Sequence, residues 1–116
     1  MVVIKYLGKN PLIVRDIQGS KMYLSIRDKG VARELALVDI RERLLTETLQ
    51  SEVREGESVL DIGANIGYYA LMEARLVGPH GKVYAVEPVP YNMQSLEKNI
   101  GLNDYSNIET FQQAIG

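Results

Sequence analysis

The sequence contains no cysteine and only one histidine. The lack of cysteine excludes a disulfide framework, a cysteine-ligated zinc site and a cysteine nucleophile. A single histidine leaves almost no material for a metal site built by the protein, so we expect no bound metal. Chemistry that depends on a thiol or on a protein-bound metal is therefore not expected.

The chain also lacks a surplus of positive charge and a long apolar run. Its 13 basic and 15 acidic residues give a formal net charge of -2, so no charge excess marks a surface for nucleic acid or for an anionic membrane. No apolar stretch approaches the length of a membrane span, and the first ten residues lack the features of a signal peptide. We therefore expect a cytoplasmic protein with no nucleic-acid partner and no membrane partner.

The composition itself is that of an ordinary globular chain. Its 116 residues, 46% of them hydrophobic, allow one domain at most, with a buried core. The first thirty residues predict a small antiparallel meander of three strands, with turn-forming residues between them. These strands are Val2–Leu7, Leu12–Ile17 and Met22–Arg27. We assign residues 1–30 to this meander.

A helical region is predicted over residues 31–57. Its apolar side chains recur at helical spacing, with charged residues between them. They are Ile40, Leu44, Leu45, Leu49 and Val53. The chain therefore passes from a meander to a helix before its pattern changes again.

From residue 58 onwards, predicted strands and helices alternate. They are Val59–Ile62, Ile66–Val77, Lys82–Val86, Tyr91–Leu102 and Ile108–Gln112. Alternation of this kind implies a parallel sheet with helical crossovers. We therefore predict an α/β fold in which residues 58–116 form a partial parallel sheet of strand order 3-2-1.

Three strands are fewer than a complete fold of this kind requires. We expect that the chain stops before the part that binds the acceptor, and that on its own it is inactive. The strand Val59–Ile62 would then lie at an edge of the sheet, and an apolar edge invites pairing with another chain. A homodimer through this strand is the expected consequence.

A glycine-bearing turn follows the strand at Val59–Ile62. It lies at the carboxyl end of the strand, where open parallel sheets bind ligands. Gly63 and Gly67 remove side chains that would block close approach to the backbone. Asn65 is a favourable N-cap residue for the helix that follows. The Asp61 carboxylate suits a cationic or hydrogen-bond-donating ligand better than a pyrophosphate.

An acidic residue also ends the second strand of the predicted sheet. Glu87 follows Gly67 by about twenty residues, the spacing at which a carboxylate accepts hydrogen bonds from a ribose diol. A nicotinamide dinucleotide is the main alternative, in the NAD(P)-binding Rossmann domain of an oxidoreductase. Its G-x-G-x-x-G positions hold Gly63, Asn65 and Tyr68, so two of the three glycines are missing. A non-catalytic cofactor-binding module is the other alternative.

Two motifs resemble those of a known family. VLDIGANIGYYA, from Val59 to Ala70, resembles the first motif of FkbM-type methyltransferases, and GKVYAVEP, from Gly81 to Pro88, resembles the second. Asn99 and Asn103 are similar to the asparagine-rich stretch of that family. The resemblance implies a class I, Rossmann-like methyltransferase whose cofactor is S-adenosylmethionine. It also implies a hydroxyl oxygen of a small molecule or sugar as the methyl acceptor.

The resemblance further implies which residues contact S-adenosylmethionine. Around the methionine part and the sugar edge it places Asp61, Gly63, Ala64, Asn65 and Gly67. Glu87 would hold the ribose hydroxyls, with Pro88 and Asn92 near the adenosine and Gln113 and Ala114 near the adenine. It identifies no catalytic residue. A sulfonium is already a good leaving group, so positioning of acceptor and methyl group supplies much of the rate.

Overall fold

The computed structural model describes residues 3–7 and 10–115 of the chain. These residues form two three-stranded sheets and four helices, and the predicted α/β fold is confirmed. In chain order the elements are β1 (Val3–Leu7), β2 (Asn10–Ile17), β3 (Ser20–Ser25), α1 (Val31–Leu37), α2 (Arg43–Glu52), β4 (Ser58–Ile62), α3 (Tyr68–Val77), β5 (Lys82–Val86), α4 (Pro90–Leu102) and β6 (Ile108–Phe111).

The first sheet is the predicted antiparallel meander, in the order β1-β2-β3. A two-residue turn joins β2 to β3, and both its residues have positive φ, +50° at Gln18 and +86° at Gly19. Such a turn matches the twist of the flanking strands. It closes so tightly that β3 begins at Ser20, two residues before the predicted start. Val2, the predicted start of the first strand, lies outside the described residues.

The second sheet is parallel, in the order β4-β5-β6, which confirms the predicted order 3-2-1. Ile62 lies opposite Val86, and Val86 lies opposite Phe111. All three strands therefore end at the same level, and the residues that follow them share one edge of the sheet. This shared edge is where the site predicted from the sequence is located.

Helix α3 lies between the two sheets and joins them into one core. Its small residues Ala70 and Ala74 pack in a cluster with Val83 and Ala85 of β5. Its larger residues pack instead in a cluster with Met22 and Leu24 of the meander; they are Leu71 and Met72. The core therefore includes residues from the meander, the helical region and the parallel sheet.

The opposite face of the parallel sheet is exposed. Leu60 is 61% exposed and Ile62 is 58% exposed, and Tyr84 of the neighbouring strand is also exposed. Strand β4 forms an edge of the sheet, as expected from the sequence. Pairing of two copies through this edge stays a prediction.

Two features of the helices differ from the predictions. The short helix α1 was not separated from the rest of the helical region, because seven residues are too few to show a clear period. Asn65 is not the N-cap of α3. The helix begins at Tyr68 with Gly67 as its N-cap, and Asn65 has a left-handed backbone, with φ at +55°. Among the described helices, none is long and apolar enough to cross a membrane.

Candidate functional site

The turn between β4 and α3 is fastened to the end of the neighbouring strand. The backbone N–H groups of Gly63 and Ala64 both donate to the carbonyl oxygen of Val86, at 2.8 and 3.0 Å. The N–H of Asn65 donates to Oε1 of Glu87 at 2.8 Å. These bonds hold the turn level with the carboxyl ends of the strands, where ligands bind in open parallel sheets.

The two glycines of the turn serve different purposes. A Cβ atom added at Gly67 would lie 2.8 Å from Cδ1 of Leu96, so this glycine lets α4 pack against the turn. A Cβ atom at Gly63 would meet none of the described atoms within 4 Å. Only Gly63 therefore leaves open space beside the backbone, which the sequence motif had suggested for both.

Glu87 is buried, with 4% of its surface exposed, and both carboxylate oxygens have partners. Oε1 accepts from the N–H of Asn65, and Oε2 accepts from the N–H of Val89 at 2.8 Å. Glu87 thus joins the two loops that follow β4 and β5. A carboxylate offers about four acceptor positions, so these bonds leave acceptor capacity for the predicted ribose diol. That contact stays a prediction.

An open cleft of about 450 Å³ lies between α2 and the carboxyl end of β4. One wall contains four of the ten predicted cofactor residues, namely Asp61, Gly63, Ala64 and Asn65. The other lining residues are Val31, Arg41, Glu42, Leu45, Leu49, Leu60, Ile62, Tyr68, Tyr69 and Glu73. The cleft therefore combines apolar side chains from α2 with carboxylates from β4 and α3.

The remaining predicted residues lie outside this cleft. Glu87 and Pro88 follow the end of β5, and Asn92 lies in the first turn of α4. Gln113 and Ala114 follow β6 and are exposed. The level ends of the three strands place these residues along the same sheet edge as the glycine turn. Their contacts with a cofactor stay predictions.

Asp61 and Glu73 both line the cleft, and each has a carboxyl oxygen without a partner among the described residues. Asp61 Oδ2 and Glu73 Oε2 are fully hidden from solvent, and neither has a hydrogen-bond partner among the described residues. Burial, followed by the negative charge of Glu87, raises the pKa of Asp61 to about 6. Burial, followed by the charge of Asp61, raises the pKa of Glu73 to about 8. The pair therefore favours binding a cation or holding a proton.

Sequence reasoning missed Glu73. The available signal was a single acidic residue within the apolar stretch from Ala70 to Val77. A charged residue on a buried helix face requires a partner or a function. Its position relative to Asp61 became visible only once α3 was packed against β4.

Arg41 supplies the positive charge in the lining of the cleft, and this charge is already paired with carboxylates other than Asp61 and Glu73. Arg41 forms ion pairs with Glu34 and Glu42, at 3.1 and 2.9 Å. Tyr69 donates to the same Glu42 carboxylate at 2.9 Å. No ion pair among the described residues includes Asp61, and no cluster of them provides three metal ligands.

Two asparagines, Asn99 in α4 and Asn103 at its C-cap, make hydrogen bonds to other elements. Asn99 is fully buried; its Nδ2 donates to the carbonyl oxygen of Ile66, and its Oδ1 accepts from the N–H of Tyr23. Asn103 makes two hydrogen bonds to the backbone of Lys21. The asparagines noted in the sequence therefore connect the meander, α4 and the glycine turn.

A second cavity, of about 130 Å³, lies between the meander, α1 and α4. It is lined by Leu12, Tyr23, Ser25, Asp28, Ala32, Ile66, Tyr91, Gln94, Ser95 and Lys98. None of the predicted cofactor residues lines it. The cleft beside the glycine turn is therefore the candidate site.

Three features together indicate the class of this protein. They are a parallel sheet of order 3-2-1, a glycine turn after its first strand and an acidic residue after its second. The class is that of the Rossmann-like, class I S-adenosylmethionine-dependent methyltransferases. A sequence profile described as the TRM5/TYW2 methyltransferase domain matches residues 20–113. The chain belongs to this family, and the predicted methyltransferase class and cofactor are confirmed.

Similar solved structures share the fold. The structure of M. jannaschii TYW2 in complex with AdoMet is 22% identical and has a TM-score of 0.66, with 95% of this chain and 49% of that chain covered. Trm5b from Pyrococcus abyssi is 20% identical and has a TM-score of 0.65, with 95% and 34% covered. At these identities the likeness shows the fold alone.

Curated relatives match over a shorter part. The protein-L-isoaspartate O-methyltransferase of Methanothrix thermoacetophila is 40% identical over 57 residues, which are 49% of this chain and 27% of that protein. The enzyme of the same name from Aeropyrum pernix is 51% identical over 47 residues, 37% of this chain and 18% of that protein. The chain thus spans about a quarter or less of the length of these relatives.

One expectation from the sequence is wrong. A small-molecule or sugar hydroxyl as acceptor, with no nucleic-acid partner, disagrees with the TRM5/TYW2 family and with relatives named as protein methyltransferases. The acceptor had been inferred from the FkbM resemblance and the net charge. The motifs that carry that resemblance were assigned to the cofactor, so they gave no information about the acceptor. Membership of the FkbM family stays a prediction.

Proposed function

We propose that this chain is the S-adenosylmethionine-binding part of a tRNA methyltransferase. The observation that carries the proposal is the TRM5/TYW2 profile, which matches residues 20–113 and so includes β3, every helix and the whole parallel sheet. TRM5 and TYW2 are tRNA-modifying enzymes. The likeness to the isoaspartate enzymes covers only about half of the chain. A cytoplasmic location is part of the same proposal.

The residues of the cleft fit the proposed cofactor. Gly63 leaves open space beside its backbone, and Asp61 presents a buried carboxylate oxygen that lacks a partner. A carboxylate of this kind complements the positive charges of S-adenosylmethionine. When bound, that cofactor supplies a methyl group on a sulfonium, and the residues of this chain supply position and charge.

We assign the cofactor contacts as the sequence predicted them, with one change. The methionine part is held by Asp61, Gly63, Ala64 and Asn65, and the ribose by Glu87. The adenosine side is bordered by Pro88, Asn92, Gln113 and Ala114. Gly67 is assigned a supporting role, because the space it leaves is filled by Leu96.

A transfer assay tests the acceptor. The gene product is incubated with S-adenosylmethionine that carries a labelled methyl group, together with unmodified tRNA. We expect label in a ribonuclease-sensitive fraction, because the family profile is that of tRNA-modifying enzymes. The matched control is heat-denatured enzyme with the same tRNA.

An isoaspartyl peptide is the second acceptor to include. It is favoured by the 40% identity to the isoaspartate enzyme over 57 residues. Base-labile label on this peptide, with none on tRNA, would replace the tRNA proposal by a protein carboxyl methyltransferase. Because the 116-residue chain alone is expected to be inactive, the assay uses the full-length gene product. Label on neither acceptor, from a full-length preparation that binds S-adenosylmethionine, would also count against the tRNA proposal.

A further inference from the structure

The carboxyl groups of Asp61 and Glu73 form a pair that no element of the fold neutralises. Asp61 comes from β4 and Glu73 from the second turn of α3, and both line the cleft beside the glycine turn. Glu73 is only 4% exposed. Each has a buried oxygen without a hydrogen-bond partner among the described residues. Two such groups in one site do not both ionise readily.

The charged and polar groups around the pair do not neutralise its negative charge. Glu87, after β5, adds negative charge and is engaged with two backbone N–H groups. Arg41, before α2, is paired with Glu34 of α1 and with Glu42. Tyr69 of α3 donates its hydroxyl to Glu42. The pair therefore keeps one negative charge most easily by holding one proton.

Asp61 and Glu73 differ in how strongly each holds that proton. The pKa of Glu73 is raised to about 8 and that of Asp61 to about 6. At neutral pH the proton therefore resides on Glu73, and Asp61 carries the charge. A cation that reaches Asp61 stabilises the ionised form of both carboxyl groups, so the proton on Glu73 is the one released.

We propose that Glu73 is a positioning residue which, through Asp61, couples capture of the cationic methyl donor to release of one proton. The inference rests on the proposed function. The charge balance is simple: a cation enters, the O–H bond of the Glu73 carboxylic acid breaks, and its proton passes to the buffer. The donor then lies against two carboxylates instead of one.

Calorimetric titration at pH 7 tests the coupling. S-adenosylmethionine is titrated into the chain in buffers of different ionisation enthalpy, which gives the number of protons released. We expect the wild type to release at least about half a proton more than Glu73→Gln, whose side chain has no proton to lose. The amino group of the ligand titrates in the same range, with a pKa of about 8, so the difference between the proteins is the measurement.

The pH dependence of the affinity gives a second measurement. Between pH 6.5 and 8.5 the wild-type affinity should rise roughly tenfold more than that of Glu73→Gln, because only the wild type must lose a proton on binding. Glu52→Gln is the matched control, since Glu52 is an exposed glutamate at the end of α2. It should behave as the wild type does.

The outcomes separate this inference from the proposed function. Wild-type protein that binds no S-adenosylmethionine overturns both. Binding with equal proton release by wild type and Glu73→Gln overturns the coupling alone. Carbon-13 NMR of the unliganded wild type decides independently of binding: a Glu73 carboxyl that titrates near its ordinary value of 4.5 also overturns the coupling.

Discussion

The glycine turn after β4 has an inner side and a cleft side. The groups on the inner side are packed or hydrogen-bonded to neighbouring residues, whereas several groups on the cleft side have no such partner. On the inner side, Gly67 packs against Leu96, and Glu87 accepts hydrogen bonds from Asn65 and Val89. On the cleft side, Gly63 borders open space, and the Asp61–Glu73 pair has buried oxygens without partners. The two sides are separated by a few residues of one loop.

The difference shows where stability and binding reside. A buried polar group that is hydrogen-bonded stabilises the fold, whereas one without a partner costs free energy. The inner side therefore maintains the shape of the turn. The cleft side retains unused hydrogen-bonding capacity and charge, which is what a ligand requires.

Glu87→Ala should have the largest effect on stability. It removes the acceptor of two backbone N–H groups in part-buried hydrogen bonds, and hydrogen bonds to a charged group contribute about 1.5–3 kcal/mol each. We expect the free energy of unfolding to fall by about 3–5 kcal/mol in urea denaturation.

The matched control for Glu87→Ala is Glu109→Ala on β6. Glu109 is exposed and forms a 3.5 Å surface ion pair with Lys82, so its loss should cost about 0.5 kcal/mol or less. Equal losses for the two variants would mean that Glu87 does not maintain the turn.

Glu73→Gln should have the next largest effect on the free energy of unfolding, and it should stabilise the protein where Glu87→Ala destabilises it. Between the ordinary pKa of 4.5 and the folded value of about 8, the unfolded chain has lost the Glu73 proton and the folded chain retains it. Folding then takes up a proton, so the wild type loses stability as the pH rises through this range. Glutamine has no such penalty, because it is neutral throughout.

At pH 8 we therefore expect Glu73→Gln to be more stable than wild type by up to about 4 kcal/mol, since each tenfold change in proton affinity between the unfolded and the folded chain corresponds to about 1.4 kcal/mol. At pH 4.5 the two proteins should be nearly equal. Thermal unfolding followed by circular dichroism at both pH values measures the difference. A constant difference at the two pH values would contradict a proton held by Glu73.

Much of the fold followed from the sequence because its signals are local. The glycine turn and the alternation of apolar strands and helices each act over a few residues. The strand order 3-2-1 followed from this alternation and from the preference for parallel crossovers. The two-residue turn at Gln18 and Gly19 shifted β3, because its exact closure depends on pairing with β2.

The site was harder to predict because its contacts are long-range. Asn65 has the residue type of an N-cap, yet its backbone is left-handed and its N–H is bound by Glu87. Glu73 meets Asp61 only through the packing of α3 on β4. The acceptor was beyond prediction from the motifs, since the glycine turn and Glu87 were assigned to the cofactor alone.

The smallest effect on stability, with the clearest effect on binding, is expected from Gly63→Ala. Gly63 has a φ of +78°, and Gly56, in the turn before β4, has a φ of +84°. A Cβ atom meets none of the described atoms within 4 Å at either position, so the two alanine variants carry the same backbone strain, about 1 kcal/mol. Gly63 lines the cleft and Gly56 does not. Only Gly63→Ala should therefore weaken S-adenosylmethionine binding, by roughly tenfold or more, or about 1.4 kcal/mol. Calorimetry on both variants, with urea denaturation to confirm equal strain, makes the comparison; equal affinities would show that the open space beside Gly63 is not where the methyl donor binds.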